Sequence, residues 1–537
     1  MQYDAIIIDS LIPYENIAFD FGITNLRYDD QVMTLQNLIN HYYPEKSEAF
    51  TKGTLNLEEC GKLNGMLLYD YLTKQNFKCA LISNVLENEK KLVSLLSRGT
   101  RTVIISTTWT FGIQEVKKAT KLVRDHDTKV PIIAGGTLIY NSYLVYQQRY
   151  NEDFDCDSTK DQFFFVNENP RLTDDINIFI VDRVGLQTLT KVLNAIKEKR
   201  DHNGFSNTAY YHNGHLVFNH QQPETIDLDN QVISWDKMEP EFITPILPVQ
   251  LSLGCFFECK FCNFFHKKAC YTKKKENIKN ELTSIRSIPE VKMIRFVDDS
   301  MPPNVVQALC QIMIEEEIEI PWTTFIRLDA LNEKTVALLK KTNCVDVQIG
   351  FESGDNRILK NMGKKANTET YFRILDYLSD LDLSIRGSFI VGYPGENKES
   401  IANTIHFLNE LPTDRNAIIY VGFAPFILLP LSPIYLESAR KPYKLRGYFI
   451  DWDHESMKFS NVPEYLKEIF LSVRNDVLFA YPGDPVDINF SKKLGHKVKL
   501  ARQRYQKGII QGLQKEKLTI LKSELKHSVT QFQETIG

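Results

Sequence analysis

Short apolar runs rich in β-branched residues alternate with helix-like patterns along the first part of the chain. The runs have the length of buried strands and occupy residues 4–9, 79–83, 102–106 and 131–134. Amphipathic helical patterns lie between them, as in residues 57–76 and 113–126. Strands that alternate with helices predict a parallel, doubly wound sheet. We therefore expect residues 1–145 to form one Rossmann-like α/β domain.

A less regular stretch separates this domain from a second alternation of strands and helices. Residues 146–240 contain long polar segments around one helical pattern, and we expect an extension between domains. Six apolar runs with helical patterns between them follow at residues 249–254, 293–299, 322–328, 345–351, 384–392 and 417–426. A closed TIM barrel has eight such units. Residues 241–436 are therefore predicted to form a partial (β/α)6 barrel with an open side.

The last part of the chain, residues 437–537, begins with an aromatic segment and ends in long helical patterns. We expect it to be mainly helical. Residues 492–507 are rich in Lys and Arg. This stretch is predicted to be a solvated helix face, with an anion or nucleic-acid patch as the alternative.

Composition and charge narrow the class of protein. Of 537 residues, 43% are apolar and 25% charged, which is typical of a soluble globular chain and excludes a collagenous or mostly disordered one. The net charge of −4 lacks the positive excess that is typical of nucleic-acid-binding proteins, so we do not expect nucleic acid as a partner. No apolar run has the length of a membrane span, and the acidic N-terminus lacks the basic start of a signal peptide. A cytoplasmic location is expected.

Nine cysteines are present, and we expect reduced thiols because the odd number argues against a complete disulfide framework. Cys255, Cys259 and Cys262 form a C-x3-C-x2-C pattern directly after the first strand of the second alternation. Thiolates are soft ligands that select zinc or iron–sulfur clusters. A structural zinc ion needs a fourth ligand, which His266 could supply by its spacing. The alternative is a [4Fe–4S] cluster on three cysteines, with one iron left open.

The segment CFFECKFC, residues 255–262, resembles the cluster loop of radical SAM enzymes. In that family the open iron binds the amino and carboxylate groups of S-adenosylmethionine (SAM). One electron, from a reductant such as flavodoxin or ferredoxin, then cleaves SAM to methionine and a 5′-deoxyadenosyl radical. The resemblance implies that Phe261 lies beside the adenine.

Further segments that resemble this family follow successive strands of the predicted barrel, at the strand ends where barrel sites lie. The F-x-D-D segment resembles one that holds the SAM amino group, GFESG resembles the ribose- and methionine-binding segment, and G-x-P-G-E resembles the segment beside adenine. An arginine ends the third strand. The resemblance implies that SAM is bound by Phe261, Asp298, Asp299, Arg327, Glu352, Ser353, Gly392, Pro394 and Glu396.

An α/β domain ahead of such a barrel resembles the cobalamin-binding branch of the family. Residues 65–83, 102–110 and 130–137 carry this resemblance. It implies that cobalamin lies against the strand ends at Ser106, Thr107, Thr108, Gly135 and Gly136. The loop DSLIPYEN, residues 9–16, lacks the histidine of the D-x-H-x-x-G motif. We therefore expect cobalamin to bind without a protein histidine on cobalt, as in many members of the branch.

The aromatic segment after the barrel, residues 443–457, resembles the W-x-H-x-T-M segment of the P-methyltransferases of phosphinate natural products, with Ser456 in place of threonine. This resemblance implies that Trp452 and His454 lie near the substrate mouth. It makes His454 the candidate catalytic residue. Core packing of the same aromatics is the alternative.

These patterns together predict a cobalamin-dependent radical SAM methyltransferase. The predicted acceptor is an unactivated carbon or phosphorus centre of a small-molecule or peptide metabolite. Two alternatives stay open from the sequence. One is an enzyme that uses the same cofactors for a rearrangement or ring contraction, and the other is a zinc-stabilised binding protein without catalytic activity.

Overall fold

The structure is a computed structural model and describes residues 2–11, 27–28, 31–110, 112–166, 175–264, 269–328, 331–481, 483–486 and 492–536. The chain divides into two compact units. Unit 1 comprises Met1–Asn16, Gly61–Phe242 and Leu429–Ala439, and unit 2 comprises Ile17–Cys60, Ile243–Leu428 and Arg440–Gly537. No helix among the described residues is both long and apolar enough to span a membrane.

The elements are numbered in chain order. The strands are β1 (Ala5–Ile8), β2 (Arg27–Tyr28), β3 (Gln31–Val32), β4 (Cys79–Ile82), β5 (Val103–Ser106), β6 (Ile132–Gly135), β7 (Ile178–Ile180), β8 (Thr208–His212), β9 (His215–Phe218), β10 (Ile246–Val249), β11 (Ser252–Cys255), β12 (Ala269–Thr272), β13 (Met293–Phe296), β14 (Trp322–Ile326), β15 (Cys344–Glu352), β16 (Ser384–Val391), β17 (Ile418–Pro425), β18 (Arg446–Tyr448), β19 (Asp451–His454), β20 (Met457–Lys458) and β21 (Leu478–Phe479). The α-helices are α1 (Leu35–Tyr42), α2 (Ser47–Gly53), α3 (Leu63–Lys74), α4 (Glu89–Ser97), α5 (Ile113–His126), α6 (Thr137–Gln147), α7 (Leu186–Lys197), α8 (Lys275–Arg286), α9 (Pro303–Glu315), α10 (Glu333–Lys341), α11 (Asn356–Asn361), α12 (Thr368–Leu378), α13 (Lys398–Asn409), α14 (Glu437–Arg440), α15 (Val462–Ser472), α16 (Lys492–Ile510) and α17 (Lys515–Gln533).

Unit 1 is built on a seven-stranded sheet in the order β4-β1-β5-β6-β7-β8-β9. The first five strands are parallel and the last two antiparallel. Every residue of β1 is buried, as expected for a parallel strand covered on both faces. The α/β class predicted for this region is confirmed.

The stretch 146–240 contributes three strands to this sheet. The apolar β7 extends the parallel part, and the antiparallel pair β8 and β9 follows it. The Asp182 carboxylate accepts hydrogen bonds from the backbone N–H of Val184, Gly185 and Glu224, which fixes the turn between β7 and α7. These strands are short and separated by polar loops, so hydrophobic periodicity gave little sign of them.

Unit 2 contains a second seven-stranded sheet, with the order β10-β13-β14-β15-β16-β17-β21 and parallel pairing throughout. The parallel α/β architecture predicted here is confirmed. The first strand lies earlier than the predicted run 249–254 and shares only Val249 with it, because residues 252–255 form β11, which leaves the sheet and pairs with β12 in an antiparallel hairpin. Asp298 holds this exit by accepting hydrogen bonds from the backbone N–H of Leu251 and Ser252.

The two faces of this sheet differ in chemistry. Phenylalanines on four neighbouring strands stack at 5.1–5.5 Å between ring centroids, and α13 and α15 cover them through Phe407 and Phe470: they are Phe351, Phe389, Phe423 and Phe479. The opposite face is polar. There Arg386 donates to Asp346 at 2.5 Å and its guanidinium lies over the ring of Tyr420. Ser388, two residues further along β16, is exposed although its strand is central.

The C-terminal region departs from the predicted mainly helical structure by including the three-stranded sheet β18–β20. The basic stretch on α16 was predicted to be a solvated face, and this is wrong for three of its cations, because Lys499, Arg502 and Lys507 are buried. Lys499 is buried and donates to the Tyr420 hydroxyl at 2.7 Å. Arg502 is buried in a two-pronged ion pair with Asp484. A buried charge needs such partners, and they lie too far away in sequence to be read from the pattern.

Candidate active site

The three cysteines lie on one loop that begins at the end of β11. Cys259 is buried, and Cys255 and Cys262 are half-buried. The Arg327 guanidinium lies 3.4 Å from Sγ of Cys259. Burial raises the pKa of Cys255 above its usual value, and the Phe257 N–H and the Arg327 charge offset only part of this rise. Because a metal ligand must be a thiolate, a fixed guanidinium beside these sulfurs suits them to that role.

Among the described residues, no three His, Cys, Asp or Glu side chains converge on one position for a single metal ion. The fourth ligand considered for zinc, His266, lies outside the described residues. A [4Fe–4S] cluster takes its cysteines on different iron atoms, so its ligands need not converge on one point. Three loop thiols, two of them partly accessible, fit that arrangement.

Asp298 and Asp299 both support the start of the cluster loop. Oδ1 of Asp298 accepts from the Ser252 hydroxyl at 2.5 Å, and Oδ2 is buried without a hydrogen-bond partner. Oδ2 of Asp299 accepts from the Gly254 N–H at 2.7 Å. Burial raises the pKa of Asp298 to about 7 and that of Asp299 to about 6. The structure thus brings both acids to the loop, one of them with an unsatisfied oxygen.

The loop is also held from its far side. Lys260 N–H donates to the Met362 carbonyl at 2.8 Å. The Arg327 guanidinium stacks at 3.7 Å over the ring of Phe257. The ring of Phe261 meets that of Tyr393 edge-on, at 6.5 Å between centroids. The strand-end segments predicted from sequence therefore surround the cysteine loop in space.

Glu352 ends β15 in a left-handed backbone conformation, with φ of 65°. The register of β15 against β16 shifts between Gly350 and Glu352, and bulges of this kind re-aim side chains beside active sites. Oε1 of Glu352 lies 3.1 Å from Nζ of Lys364, which also donates to the Gly350 carbonyl at 2.9 Å. A Cβ at position 350 would collide with Oε1 of Glu352, so a larger residue there would displace this carboxylate.

Ser353 follows Glu352 in the chain. The G-x-P-G-E segment follows β16, the strand that pairs with β15. Ser353 is buried and its hydroxyl accepts from the Asp355 N–H. Glu396 is buried, and its Oε2 accepts from the Gly392 N–H at 2.6 Å. Burial raises the pKa of Glu396 to about 8. The hydrogen bond between Glu396 and Gly392 joins the two ends of the loop that contains Pro394. This loop is the segment predicted to contact adenine.

We call β18–β20, residues 446–458, the C-terminal hairpin. Its Trp452 and His454 side chains are both buried. The Trp452 indole donates to the Phe426 carbonyl at 2.8 Å, and Nε2 of His454 lies 3.3 Å from the Gly392 carbonyl. The hairpin therefore packs behind the Gly392–Glu396 loop.

In unit 1 the predicted cobalamin residues lie at the carboxyl ends of β5 and β6. Thr107 closes the two loops together, because its N–H and its hydroxyl donate to the Gly135 carbonyl at 2.7 and 3.0 Å. Gly136 has φ of 108°, and a Cβ there would lie 3.0 Å from the Thr107 nitrogen. Thr108 is exposed at this edge, beside the half-exposed Trp109. Close approach of backbone to a ligand is a use of such glycines.

Asn64, which sequence reasoning missed, belongs to this edge. Its Nδ2 donates to the Asp9 carbonyl at 3.1 Å and to the Ser106 hydroxyl at 2.8 Å. Its Oδ1 is buried without a hydrogen-bond partner, as is the hydroxyl of Thr110 after β5. Such orphaned atoms are costly unless a ligand satisfies them. The strand ends of unit 1 thus offer two unsatisfied polar atoms to a ligand.

Sequence reasoning also missed Lys364, because a single lysine after a short helix belongs to no recognisable motif. Its only sequence signal is the acidic Glu352 at the preceding strand end, which would need a cation once buried. The available signal for Asn64 was its place as the first polar residue of α3. Its hydrogen bond to the strand-end Ser106 is visible only in the structure.

Comparison with known proteins agrees with this geometry. Residues 249–408 match the radical SAM superfamily. An uncharacterised methyltransferase of Pyrococcus horikoshii is 27% identical over 245 residues, which is 44% of this chain and 53% of that protein. Cytidylyl-2-hydroxyethylphosphonate methyltransferase of Streptomyces wedmorensis is 23% identical over 188 residues, 34% of either chain. The chain spans about half the length of the curated relatives that it matches most fully.

A solved structure is similar along the whole chain. The radical SAM methyltransferase TsrM of Kitasatospora setae, with tryptophan and a SAM analogue bound, superposes with a TM-score of 0.63 at 11% identity, covering 99% of this chain and 100% of that one. A second TsrM structure holds cobalamin and a [4Fe–4S] cluster. At this identity the likeness shows the fold. The predicted radical SAM domain is confirmed.

Proposed function

We propose that this chain, whose residues 249–408 form a radical SAM domain, is a cobalamin-dependent radical SAM methyltransferase. One observation carries the proposal. The acids after β13, the arginine after β14 and the loop after β16 all contact the cysteine loop: they are Asp299, Arg327 and Tyr393. Structural packing alone gives no reason for buried acids, a guanidinium and three free thiols to meet at one end of a parallel sheet.

We assign the cluster to Cys255, Cys259 and Cys262, and cobalamin to the strand ends of unit 1. When bound, the cluster and SAM supply a radical that removes hydrogen from the substrate, and cobalamin supplies the methyl group. The protein's own part is to hold and orient. Arg327 donates a hydrogen bond to Sγ of Cys259, and Glu352 presents a carboxylate whose position is set by Lys364.

The cobalamin assignment is supported by unit 1 itself. Its strand-end edge offers a backbone cradle at Gly136 and a buried amide oxygen on Asn64 that lacks a partner. The corrin ring carries many amide side chains that could donate to such an oxygen. The exposed Trp109 beside Thr108 adds an apolar face for the ring.

The substrate belongs to the polar face of the second sheet. The exposed hydroxyl of Ser388 and the guanidinium of Arg386 lie on this face of β16. We propose a small-molecule or peptide metabolite with an unactivated carbon or phosphorus acceptor, and an external one-electron reductant such as flavodoxin or ferredoxin as partner. The phosphonate methyltransferase among the relatives supports a phosphonate-bearing metabolite as one option.

The test uses the full chain, purified without oxygen and supplied with iron, sulfide, hydroxocobalamin and SAM. Incubation with a reductant and a metabolite extract, followed by mass spectrometry, should give a product heavier than its precursor by one methylene. A product of unchanged mass that forms only with both cofactors would favour a rearrangement. Protein that binds zinc and no iron would overturn the proposal in favour of a binding protein.

A further inference from the structure

The C-terminal hairpin contacts both ends of the Gly392–Glu396 loop. Trp452 packs so closely on Gly392 that a Cβ there would collide with the indole ring. The hydroxyl of Ser456 donates to the Glu396 carbonyl at 2.7 Å. The loop between these two contacts follows β16, at the strand ends where a barrel site lies.

His454 makes the most directional of these contacts. Its ring stacks on Trp452 at 5.5 Å between centroids and 10° between planes. The Gly392 carbonyl can only accept, so Nε2 of the neutral ring carries the hydrogen, and Nδ1 accepts from the backbone N–H of Ser456 at 3.4 Å, with the Ser456 hydroxyl also 3.3 Å away. Nε2–H then donates to the Gly392 carbonyl at 3.3 Å. Both ring nitrogens are thus turned to protein groups.

This geometry is unsuited to direct chemistry on a substrate. His454 is 6% exposed, and a general base needs a nitrogen within reach of the proton it removes. The neutral ring satisfies both of its contacts, since Nε2–H donates to the Gly392 carbonyl and Nδ1 accepts from Ser456. Burial lowers the pKa of His454, in keeping with a ring that stays neutral.

We propose that Trp452, His454 and Ser456 are positioning residues that hold the Gly392–Glu396 loop in the shape that binds the adenine of SAM. The inference rests on the proposed function, since it takes this loop as the adenine contact. It assigns to the hairpin an effect on SAM affinity, with no contact to the methyl acceptor. A hairpin from outside the matched domain thereby sets the domain's affinity for its cofactor.

The test follows SAM cleavage without any substrate, by measuring 5′-deoxyadenosine formed by the reconstituted protein with dithionite. His454→Phe keeps the stack on Trp452 and removes the donor to Gly392. Because one hydrogen bond contributes about 1 kcal/mol, the SAM concentration for half-maximal cleavage should rise about fivefold, with the rate at saturating SAM unchanged. His454→Gln restores an N–H donor and should recover most of the affinity. His406→Phe, on the exposed side of α13, is the matched control and should behave as wild type.

Three results would overturn the inference. One is a lower melting temperature for His454→Phe with an unchanged SAM dependence, which marks a merely structural residue. Another is a reduced rate at saturating SAM with unchanged affinity, which marks a catalytic one. The third is failure of Gln to rescue. If His454→Phe does not fold, Ser456→Ala takes its place. This change removes the hydrogen bond to the Glu396 carbonyl and should also raise the SAM concentration for half-maximal cleavage. If the reconstituted wild-type protein does not cleave SAM at all, that result counts against the proposed function and not against this inference.

Discussion

The ammonium of Lys364 lies 3.1 Å from Oε1 of Glu352, and both side chains are buried. This pair links the end of β15 to the Met362 segment, whose carbonyl holds the cysteine loop through Lys260. A carboxylate that a fixed cation orients, at a strand end and beside the cysteine loop, is suited to bind the hydroxyl or amino groups of SAM.

Replacing Lys364 with Met should destabilise the protein by about 3–5 kcal/mol, because the Glu352 carboxylate is left buried without its partner. Adding Glu352→Gln removes that charge and should recover most of the free energy of unfolding, measured by denaturant titration. SAM binding, measured by calorimetry on the cluster-loaded protein, should stay weak in the double variant. Full SAM affinity in the double variant would show that Glu352 has only a structural role.

The cluster assignment predicts a contrast among cysteines. Replacing Cys255, Cys259 and Cys262 together with Ala should abolish iron binding, whereas Cys270→Ala, on the adjacent β12, should leave iron content unchanged. Iron and sulfide analysis with absorption spectra would measure both. Four irons retained in the triple variant would refute the assignment.

Glu396 predicts a pH dependence of stability. Burial raises its pKa from the usual 4.5 to about 8, so between these pH values the folded state holds a proton that the unfolded state releases. Its contribution is complete below about pH 4.5 and is lost as the pH rises to about 8, at about 1.4 kcal/mol for each pH unit. Glu396→Gln keeps an acceptor for the Gly392 N–H and removes the titration. Its stability relative to wild type should therefore grow from pH 5 to pH 8. If the difference in the free energy of unfolding between Glu396→Gln and wild type is the same from pH 5 to pH 8, the pKa of Glu396 is not raised.

Cobalamin bound to this protein should have no protein histidine on cobalt, because residues 9–16 contain none. Labelling the protein with ¹⁵N should therefore leave the electron paramagnetic resonance spectrum of the bound cob(II)alamin unchanged, because any axial nitrogen on cobalt belongs to cobalamin itself. Asn64→Leu should lower the affinity for hydroxocobalamin, since it removes the amide at the strand ends. An axial nitrogen splitting that changes when the protein is labelled with ¹⁵N would disprove the first expectation.

The parallel α/β class and the cysteine loop could be predicted from sequence because both depend on local patterns. Strand periodicity is written into runs such as that of β1, and C-x3-C-x2-C is a spacing within one loop. The exit of β11 from the sheet could not be predicted, since it depends on Asp298, which lies more than 40 residues away. The same reason hid the seventh strand β21, a two-residue element defined only by its pairing with β17.

The site shows the same division. The motifs gave the strand-end residues in order, but not what each one touches. Asp298 was expected at SAM, yet three of its contacts are to Leu251 and Ser252, and only its Oδ2 is left for another group. Lys364 and Asn64 gained their importance only from tertiary contacts, and burial of Lys499 and Arg502 required partners on distant strands and loops.

The central claim is that one protein uses both SAM cleavage and cobalamin-borne methyl transfer. The most direct measurement is anaerobic incubation of the reconstituted protein with hydroxocobalamin, a reductant and SAM whose methyl group is deuterated, followed by mass spectrometry of the recovered cobalamin and nucleosides. We predict a deuterated methyl group on cobalamin together with 5′-deoxyadenosine. Formation of 5′-deoxyadenosine with no label on cobalamin would contradict the account and indicate a radical SAM enzyme that transfers no methyl group through cobalamin.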